Sequence, residues 1–352
     1  MRSSLSSPFC NFLLNLTTLI LMVAVNAVVS TTAFSQFDDP RDLAGNVLWL
    51  DGADVDGDFT NGGSFANGTT WVDKSSAQNA DATQGQFMAR PTVVDSVFNN
   101  LTAVEFDGND FMEVSSSAFG MLRNVSGATM IGVLTTDLTN SNSALRALMV
   151  SSGANSAASR AGINLYDGFQ ASSQGSGDFG LAGRRLDSDS FQRIEGGEVV
   201  AGELATMTGL FDYQAGDLTL LVNGQLETSF TSFQTPGLTS DTDSLNIRVG
   251  ADASLQDLRG FFIGQIAELI VYDRVLSATE LEMVDAYITA KWLTKAKPLL
   301  GDVNCDGNVD LLDVAPFVDA VSNGNFSAKA DINQDGAVDL LDVAGFVALL
   351  SG

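Results

Sequence analysis

The chain has 352 residues, with 43 acidic against 17 basic side chains and a net charge of −26. It contains no histidine, which excludes a Ser-His-Asp triad and a histidine-ligated zinc site. The acidity disfavours nucleic acid as a partner, since phosphate backbones attract clustered basic residues. The length allows one large domain and a small one.

The amino-terminal segment has the features of a secretory signal. Arg2 precedes an apolar run over 9–29, and small residues stand at the expected cleavage point, Ala33-Phe34-Ser35. Asparagines at positions 11, 15 and 26 interrupt the run, which favours cleavage over a retained anchor. We predict a signal peptide over 1–35, a secreted or cell-surface protein, and no membrane span in the mature chain.

Between residues 36 and 296 the chain alternates short β-type segments with Gly, Asn, Asp and Ser turns, which is typical of a β-sandwich. Asn223-Gly224 is the clearest hairpin signal, because both residues tolerate positive φ. The middle, 140–190, is rich in Gly, Ser and Ala and predicts long loops. The predicted strands are 47–50, 70–72, 103–106, 129–134, 204–211, 218–222, 245–249 and 261–271.

A helix is predicted over 278–293. Ser277 and Glu280 have the spacing of a capping box at its start. Four apolar residues share one face of this helix and are expected to pack on the sandwich: Leu281, Val284, Ile288 and Trp292.

Three sequence blocks stand out in the same region: VLWLD at 47–51 with WVDK at 71–74 and VEFDG at 104–108, LLVNG at 220–224, and FIGQIAELIVYDRVLS at 262–277. Together they resemble the concanavalin A-like lectin/glucanase jelly roll in its laminin-G-like form, found in secreted bacterial proteins. The resemblance implies a mainly β fold over 36–296, a jelly-roll β-sandwich with a C-terminal packing helix. It also implies a polysaccharide or glycan as ligand.

Glycoside hydrolysis needs a pair of carboxylates, so the acidic residues of the predicted strands are relevant to whether this domain is an enzyme. The laminarinase branch of the superfamily places its carboxylates on one strand as Glu-x-Asp-x-x-Glu, a motif that this chain lacks. Glu105, Asp107 and Asp110 fit a structural Phe-Asp-Gly turn instead, and Glu268 lies in an apolar strand. We assign no catalytic residue; a glycoside hydrolase acting on O-glycosyl bonds stays open, since distant strands can bring carboxylates together.

Sugar binding requires exposed aromatic side chains that stack on pyranose faces, beside hydrogen-bonding groups. The three tryptophans lie in apolar segments and are assigned to the core. Three other aromatic residues, in turns with Gly and Asp, are the candidate stacking residues: Tyr166, Phe169 and Tyr213.

Three aspartates, Asp54, Asp56 and Asp58, alternate in the turn after the first predicted strand. Alternate carboxylates in a turn can converge on a calcium ion. Position 12 of such a loop is Phe65, which offers no oxygen ligand. A solvated loop is therefore favoured over a calcium site.

The C-terminal region contains a duplicated acidic loop, in which DVNCDGNVDLLD from Asp302 returns as DINQDGAVDLLD from Asp331. Both copies place carboxylate or amide oxygens at positions 1, 3, 5, 9 and 12 and Gly at position 6. This spacing surrounds Ca²⁺ with hard oxygen ligands and predicts two calcium ions. The predicted ligands are Asp302, Asn304, Asp306, the carbonyl of Asn308, Asp310 through water and Asp313, and in the second copy Asp331, Asn333, Asp335, the carbonyl of Ala337, Asp339 through water and Asp342.

Each loop runs into a predicted helix, over 311–321 and 340–350. Pro298 and Gly301 argue against a helix that enters the first loop. The resulting loop-helix pair resembles the dockerin type I module, a small calcium-folded domain that attaches secreted polysaccharide-processing proteins to a cohesin. At loop positions 10 and 11, where that family usually has small hydroxylated residues, this chain has Leu311-Leu312 and Leu340-Leu341.

The resemblance implies a dockerin-like domain over 302–352 after a linker at 297–301. A cohesin-like or other surface protein is the implied partner. Because about fifty residues bury little core, calcium binding is expected to be part of the folding of this domain.

The sequence therefore predicts a secreted, non-catalytic carbohydrate-recognition or adhesion protein with a calcium-dependent docking module. Two alternatives stay open. One is an enzyme of extracellular polysaccharide catabolism, and the other is a structural surface protein whose laminin-G-like domain binds protein instead of sugar.

Overall fold

The computed structural model divides the chain into two compact units, Met1–Lys291 and Trp292–Gly352. The predicted signal peptide lies outside the described residues. The structure describes residues 37, 39–95, 98–136, 145–153, 159–167, 177–230, 235–253, 259–293, 300–301, 303–304, 308–323, 329–333, 335 and 337–350.

The first unit is built from short β-strands, as the turn-rich sequence predicts. In chain order they are β1 (Asn46–Asp51), β2 (Thr70–Trp71), β3 (Ala82–Thr83), β4 (Thr92–Asp95), β5 (Thr102–Asp107), β6 (Met112–Val114), β7 (Gly127–Leu134), β8 (Leu145–Ser151), β9 (Ser159–Asp167), β10 (Gly177–Gly183), β11 (Gln192–Val199), β12 (Ala205–Asp212), β13 (Asp217–Val222), β14 (Gln225–Phe230), β15 (Asn246–Val249) and β16 (Ile263–Tyr272).

These strands form two antiparallel sheets. The first sheet has the order β14-β13-β12-β7-β16-β5-β4, and β1 also pairs with β16. The second sheet has the order β11-β10-β9-β8-β15-β6-β3-β2. The two sheets pack as a β-sandwich, which confirms the predicted mainly β, jelly-roll fold class.

The core lies between the sheets, because alternate residues of each strand point to one face. Leu48 and Leu50 of β1 and Leu269 and Val271 of β16 belong to it. The intervening residues of the same strands, such as Glu268, lie on the outer face of the first sheet. This outer face carries the polar network described below.

All eight predicted strands are confirmed, with ends that shift by one or two residues. The predicted hairpin is also confirmed: Asn223 and Gly224 have φ of 50° and 72° between β13 and β14. The expectation of long loops over 140–190 is wrong, since β8, β9 and β10 lie there. Glycines in these strands serve close packing, because a Cβ on Gly183 would lie 2.4 Å from the carbonyl oxygen of Arg160.

The predicted helix after the sandwich is confirmed as α1 (Ala278–Ile288), which continues as a π-helical turn over Thr289–Leu293. Ser277 and Glu280 form the expected capping box. Val284, Ile288 and Trp292 are buried. None of the helices in the described part of the chain has the length and hydrophobicity needed to cross a bilayer.

The second unit contains two short helices, α2 (Val314–Asn323) and α3 (Val343–Leu350). Both begin three residues later than predicted. A 3₁₀ turn, Leu311–Asp313, fills the gap before α2, where Asp310 caps it. Phe317 and Phe346 stack in the core of this unit with ring centroids 3.9 Å apart.

Candidate functional site

The second acidic loop folds around its own carboxylates. The backbone N–H of Asp335 donates to Asp331 Oδ1 at 3.1 Å and to Asn333 Oδ1 at 2.9 Å. Asp342 is buried and accepts from the N–H groups of Asn333 and Asp339 at 3.0 and 2.9 Å. Five of the six predicted ligand residues of this loop are thus connected through one set of hydrogen bonds.

The first loop repeats the arrangement where the structure describes it. Asp313 is buried and accepts from the N–H groups of Asn304 and Asp310, both at 2.9 Å. Asp310 in turn caps the turn that leads into α2 by accepting from the N–H of Leu312 at 2.7 Å. Asp302 and Asp306 lie outside the described residues.

The donor set of both loops suits a hard divalent cation. Carboxylate and amide oxygens are the ligands that Ca²⁺ prefers. Residues 301–352 hold nine aspartates and a single lysine, so that the burial of Asp313, Asp331 and Asp342 concentrates negative charge in a small unit. A buried carboxylate is costly without a compensating positive charge, and a bound calcium ion would supply it.

The leucine pairs at loop positions 10 and 11 are exposed in both copies. Leu311 and Leu340 are 81% and 79% exposed, and Leu312 and Leu341 are 67% and 69% exposed. Next to Leu340, an apolar cavity of about 350 Å³ is lined by this leucine and by residues of both helices, among them Val318 and Val347. Large apolar patches of this kind commonly mark interaction surfaces.

The predicted sugar-stacking residues are not confirmed. Tyr213 is fully buried, and its hydroxyl donates to the carbonyl oxygen of Arg160 at 2.9 Å. Its assignment as an exposed stacking residue is therefore wrong, because the ring fills the sandwich core next to Phe211. The side chain of Tyr166 and the whole of Phe169 lie outside the described part of the structure.

The three alternating aspartates of the first turn do converge. Ligand oxygens of Asp54, Asp56 and Asp58 lie within 4.8 Å of one another. Asp54 is already engaged, since its Oδ2 lies 2.6 Å from the ammonium group of Lys74 and accepts from the N–H of Phe59 at 3.0 Å. The predicted solvated loop stays the favoured interpretation.

A buried polar network lies between the outer face of the first sheet and α1. Lys291 Nζ is 2.7 Å from Asp51 Oδ1 and 3.2 Å from Glu268 Oε2. The hydroxyl of Tyr287 and the indole N–H of Trp49 both donate to Glu268 Oε1. Burial alone would lower the pKa of Lys291, but the attraction of Glu268 and Asp51 outweighs it and raises that pKa.

On the opposite side of Asp51, Lys74 completes the network. Its Nζ lies 2.8 Å from Asp51 Oδ2 and 4.5 Å from the centroid of the Trp49 ring. Burial would raise the pKa of Asp51, but the two lysines together lower it. Asp51 is thus held in its ionised form. Asp51 and Glu268 are both buried and contacted by lysine ammonium groups, an arrangement that ties β1, β16 and α1 together.

Sequence reasoning did not find this network. Its signal is the presence of charged residues in segments that are otherwise apolar, namely Glu268 in β16 and Lys291 on the buried side of the helical segment. The turn after β5 is as predicted: Gly108 has φ of 96°, and the N–H of Asp107 donates to Asp110 Oδ2 at 3.1 Å.

Two family models match the chain. One, described as the concanavalin A-like lectin/glucanases superfamily in a laminin-G form, covers residues 136–282. The other, the dockerin type I domain, covers residues 300–346. No curated protein matches the chain.

Several solved structures are similar to this chain. The CBM40 domain of a Ruminococcus gnavus sialidase, bound to α2,3-sialyllactose, has a TM-score of 0.41 at 20% identity over 52% of this chain and 95% of its own. Domain 4 of the extracellular arabinanase AbnA from Geobacillus stearothermophilus, with arabinotriose, has a TM-score of 0.44 at 13% identity over 68% and 98%. The binding domain of Paraclostridial Mosquitocidal Protein 1 has a TM-score of 0.45 at 14% identity over 68% and 52%.

Both resemblances predicted from the sequence are confirmed by the family models. Residues 136–282 match a concanavalin A-like lectin/glucanase domain of the laminin-G form, and residues 300–346 match a dockerin type I domain.

Proposed function

We propose that this is a secreted, non-catalytic carbohydrate-recognition protein, which a calcium-dependent dockerin-like module attaches to a partner protein. The observation that carries the proposal is the presence of a lectin/glucanase-type sandwich and a dockerin type I domain in one chain. In this arrangement the sandwich binds a glycan and the C-terminal module fixes the protein in place.

The outer-face carboxylates support the non-catalytic part of the proposal. A hydrolytic pair needs two carboxyl groups that face a substrate groove, one of which holds a proton. Asp51 and Glu268 lie opposite each other on β1 and β16, but lysine ammonium groups contact both, and both are buried. They are structural residues in this account.

The docking part rests on the two calcium loops and the exposed leucines. When the loops hold calcium, they fix the turns on which both leucine pairs stand. The partner surface must then be apolar at these points, because leucine side chains offer no hydrogen bond. We propose a cohesin-like module as this partner, with two ions bound by the ligand sets predicted for the loops that begin at Asp302 and Asp331.

The glycan part is tested on an array of neutral and acidic polysaccharides with the full mature chain, in calcium and in EGTA. The proposal predicts binding to at least one polysaccharide under both conditions, because the sandwich holds its fold without the C-terminal ions. If the chain binds no polysaccharide on the array, the proposed glycan binding is contradicted, and the alternative of a structural surface protein whose sandwich binds protein is favoured. Release of reducing ends from a bound polysaccharide would instead favour the hydrolase.

The docking part is tested by calorimetry with purified cohesin modules. A variant with Leu311→Asp and Leu340→Asp should lose binding at least tenfold, because each substitution places a charge in an apolar contact. Val200→Asp, at an exposed apolar position on the sandwich, is the matched control and should bind normally. Equal binding by both variants would show that the leucine pairs are not the contact surface.

A further inference from the structure

A polar cavity lies at one end of the sandwich, within the first unit. Its volume is about 290 Å³, which is near the lower end of small-molecule sites, about 300–1,000 Å³. Four separated segments of the chain contribute to it: the start of β1, the segment between β2 and β3, the segment between β6 and β7, and the residue that follows β16. The lining residues used below are Val47, Asn79, Ser117, Met121, Arg123 and Asp273.

Asp273 contributes a carboxylate to the lining of the cavity. Its N–H donates to the carbonyl oxygen of Gly45 at 2.9 Å, which fixes the residue at the end of β16. Among the described residues, no side chain donates a hydrogen bond to its carboxylate. Burial raises the pKa of Asp273, against the hydrogen bond from its own backbone and the charge of Arg274, which act in the other direction. Gly45 leaves the space for this carboxylate, since a Cβ at that position would lie 2.5 Å from Asp273 Oδ1.

The other polar side chains of the cavity either donate hydrogen bonds or can both donate and accept them. Arg123 uses one nitrogen, Nη1, to contact Asp243 Oδ1 at 3.0 Å, so its remaining N–H groups can reach a ligand. The amide nitrogen of Asn79 donates to the carbonyl oxygen of Ser117 at 3.4 Å, which leaves the amide oxygen of Asn79 for other partners. The hydroxyl of Ser117 is already paired with that of Ser115 at 3.1 Å.

Apolar side chains complete the lining. Val47 and Met121 are largely covered by the protein and offer a hydrophobic surface beside the polar groups. A pyranose ring has the matching character, with C–H groups on its faces and hydroxyl groups along its edge. A carboxylate that accepts from two hydroxyls, with an amide and a guanidinium beside it, is a suitable partner for that edge.

The charge of the cavity selects among sugars. The positive charge of Arg123 is shared with Asp243, and Asp273 adds a further negative charge. A uronic or sialic acid would bring its carboxylate next to Asp273 and be repelled. The cavity therefore favours a sugar without charge.

We propose that this cavity binds one neutral pyranose unit of the glycan, with Asp273 and Asn79 accepting from its hydroxyls, Arg123 donating to its oxygens, and Val47 and Met121 against its C–H face. This inference rests on the proposed glycan-binding function and assigns a place and a sugar class to it.

The test uses the full chain and whichever neutral polysaccharide of the array it binds. Asp273→Asn keeps the shape of the side chain but removes the charge, and we expect a loss of affinity of about tenfold, since hydrogen bonds to a charged acceptor are stronger than those to a neutral one. Ala77→Trp, at an exposed residue of the cavity rim, should block entry and abolish binding while thermal stability stays unchanged. Asp285→Asn, in a second cavity beside α1, is the matched control and should bind normally.

Two outcomes overturn the inference, and they can be distinguished. If the chain binds a polysaccharide and both cavity variants bind it equally well, the cavity is not the sugar site, whereas the proposed function stands. If the chain binds no polysaccharide, both the inference about the cavity and the proposed glycan-binding function fail. Methyl glycosides of glucose, galactose, mannose and xylose, compared with glucuronate in competition, test the sugar class, and stronger competition by glucuronate would contradict the charge argument.

Discussion

The carboxyl group of Asp110 is the most strongly perturbed acid in the turn after β5. Burial and the neighbouring Asp107 raise its pKa from 3.8 to about 6, against a backbone hydrogen bond that acts in the other direction. Between pH 3.8 and about 6, the folded protein therefore holds a proton on Asp110 that the unfolded chain would release.

Because of this raised pKa, Asp110 contributes less to the stability of the folded protein as the pH rises. A raised carboxyl pKa contributes stability that is fully present below pH 3.8 and is lost as the pH rises through about 6. We predict that Asp110→Asn reduces the fall in the free energy of unfolding over this range, measured by urea denaturation at several pH values. Asp241→Asn, at an exposed position, is the control. If both variants and the unchanged protein share one pH profile, Asp110 is not perturbed as described.

At the residue scale, a local signal predicted the capping box of Ser277 and Glu280, which the structure confirms. The calcium ligands, assigned from a spacing within twelve residues, stay a prediction; the described part of both loops has hydrogen bonds around Asp313 and Asp342. Tyr213 was misassigned because Gly and Asp neighbours suggest an exposed turn, whereas the ring points between the sheets.

The polar cavity was missed for a related physical reason. Its polar residues, at positions 79, 117, 123 and 273, come from segments that only the folded sandwich brings together. A sequence pattern cannot show that residues so far apart along the chain lie next to each other in the folded protein.

At the scale of elements, the ion network between the first sheet and α1 decides how firmly the helix is held. Lys291 contacts both Asp51 and Glu268, and its removal would leave two buried carboxylates with less positive charge. Breaking a buried ion pair by removal of one partner typically costs about 3–5 kcal/mol.

We therefore predict that Lys291→Met lowers the free energy of unfolding of the sandwich by about 3 kcal/mol, measured by urea denaturation. Arg193→Gln removes a largely exposed contact with Glu195 and should cost less than about 1 kcal/mol. Combining Lys291→Met with Glu268→Gln should cost less than the sum of the single changes, because the two residues interact. A cost of Lys291→Met as small as that of the control would refute this role.

Two long strands were predictable from their composition. β7 and β16 combine β-branched and other apolar residues in unbroken runs, and both were predicted. β8, β9 and β10 were taken for loops because Gly, Ser and Ala are common there. Gly132 of β7 shows another reason for a small residue, since a Cβ at this position would lie 2.8 Å from Ile163 of β9 in the other sheet. In this sandwich some small residues reflect close approach of the sheets rather than flexibility.

The calcium loops give an element-scale prediction that the full chain can test. Lys329 is the only basic residue between Gly301 and Gly352, and its carbonyl oxygen accepts from the N–H of Gly301 at 2.8 Å. If the unit folds with its ions, trypsin should cleave after Lys329 slowly in calcium and at least tenfold faster in EGTA, because cleavage needs local opening.

Asp331→Ala should be cleaved rapidly even in calcium, since it removes the first ligand of the second loop. Cleavage sites within the sandwich serve as the internal control and should not respond to EGTA. Equal cleavage after Lys329 in calcium and in EGTA would show that the unit folds without metal.

At the scale of the whole molecule, the two compact units have separate proposed tasks. The sandwich carries the polar cavity, and the C-terminal unit carries the calcium loops and the exposed leucines. Chelation should therefore abolish docking without loss of glycan binding, and Asp273→Asn should weaken glycan binding without loss of docking.

The most direct measurement is co-sedimentation of the full chain with an insoluble polysaccharide that it binds, in the presence of a fluorescent cohesin module. We predict that the cohesin enters the pellet only when the chain is present. On addition of EGTA the cohesin should return to the supernatant, whereas the chain should stay on the polysaccharide. Failure of the chain to pellet, or a cohesin that stays in solution in calcium, would contradict the account.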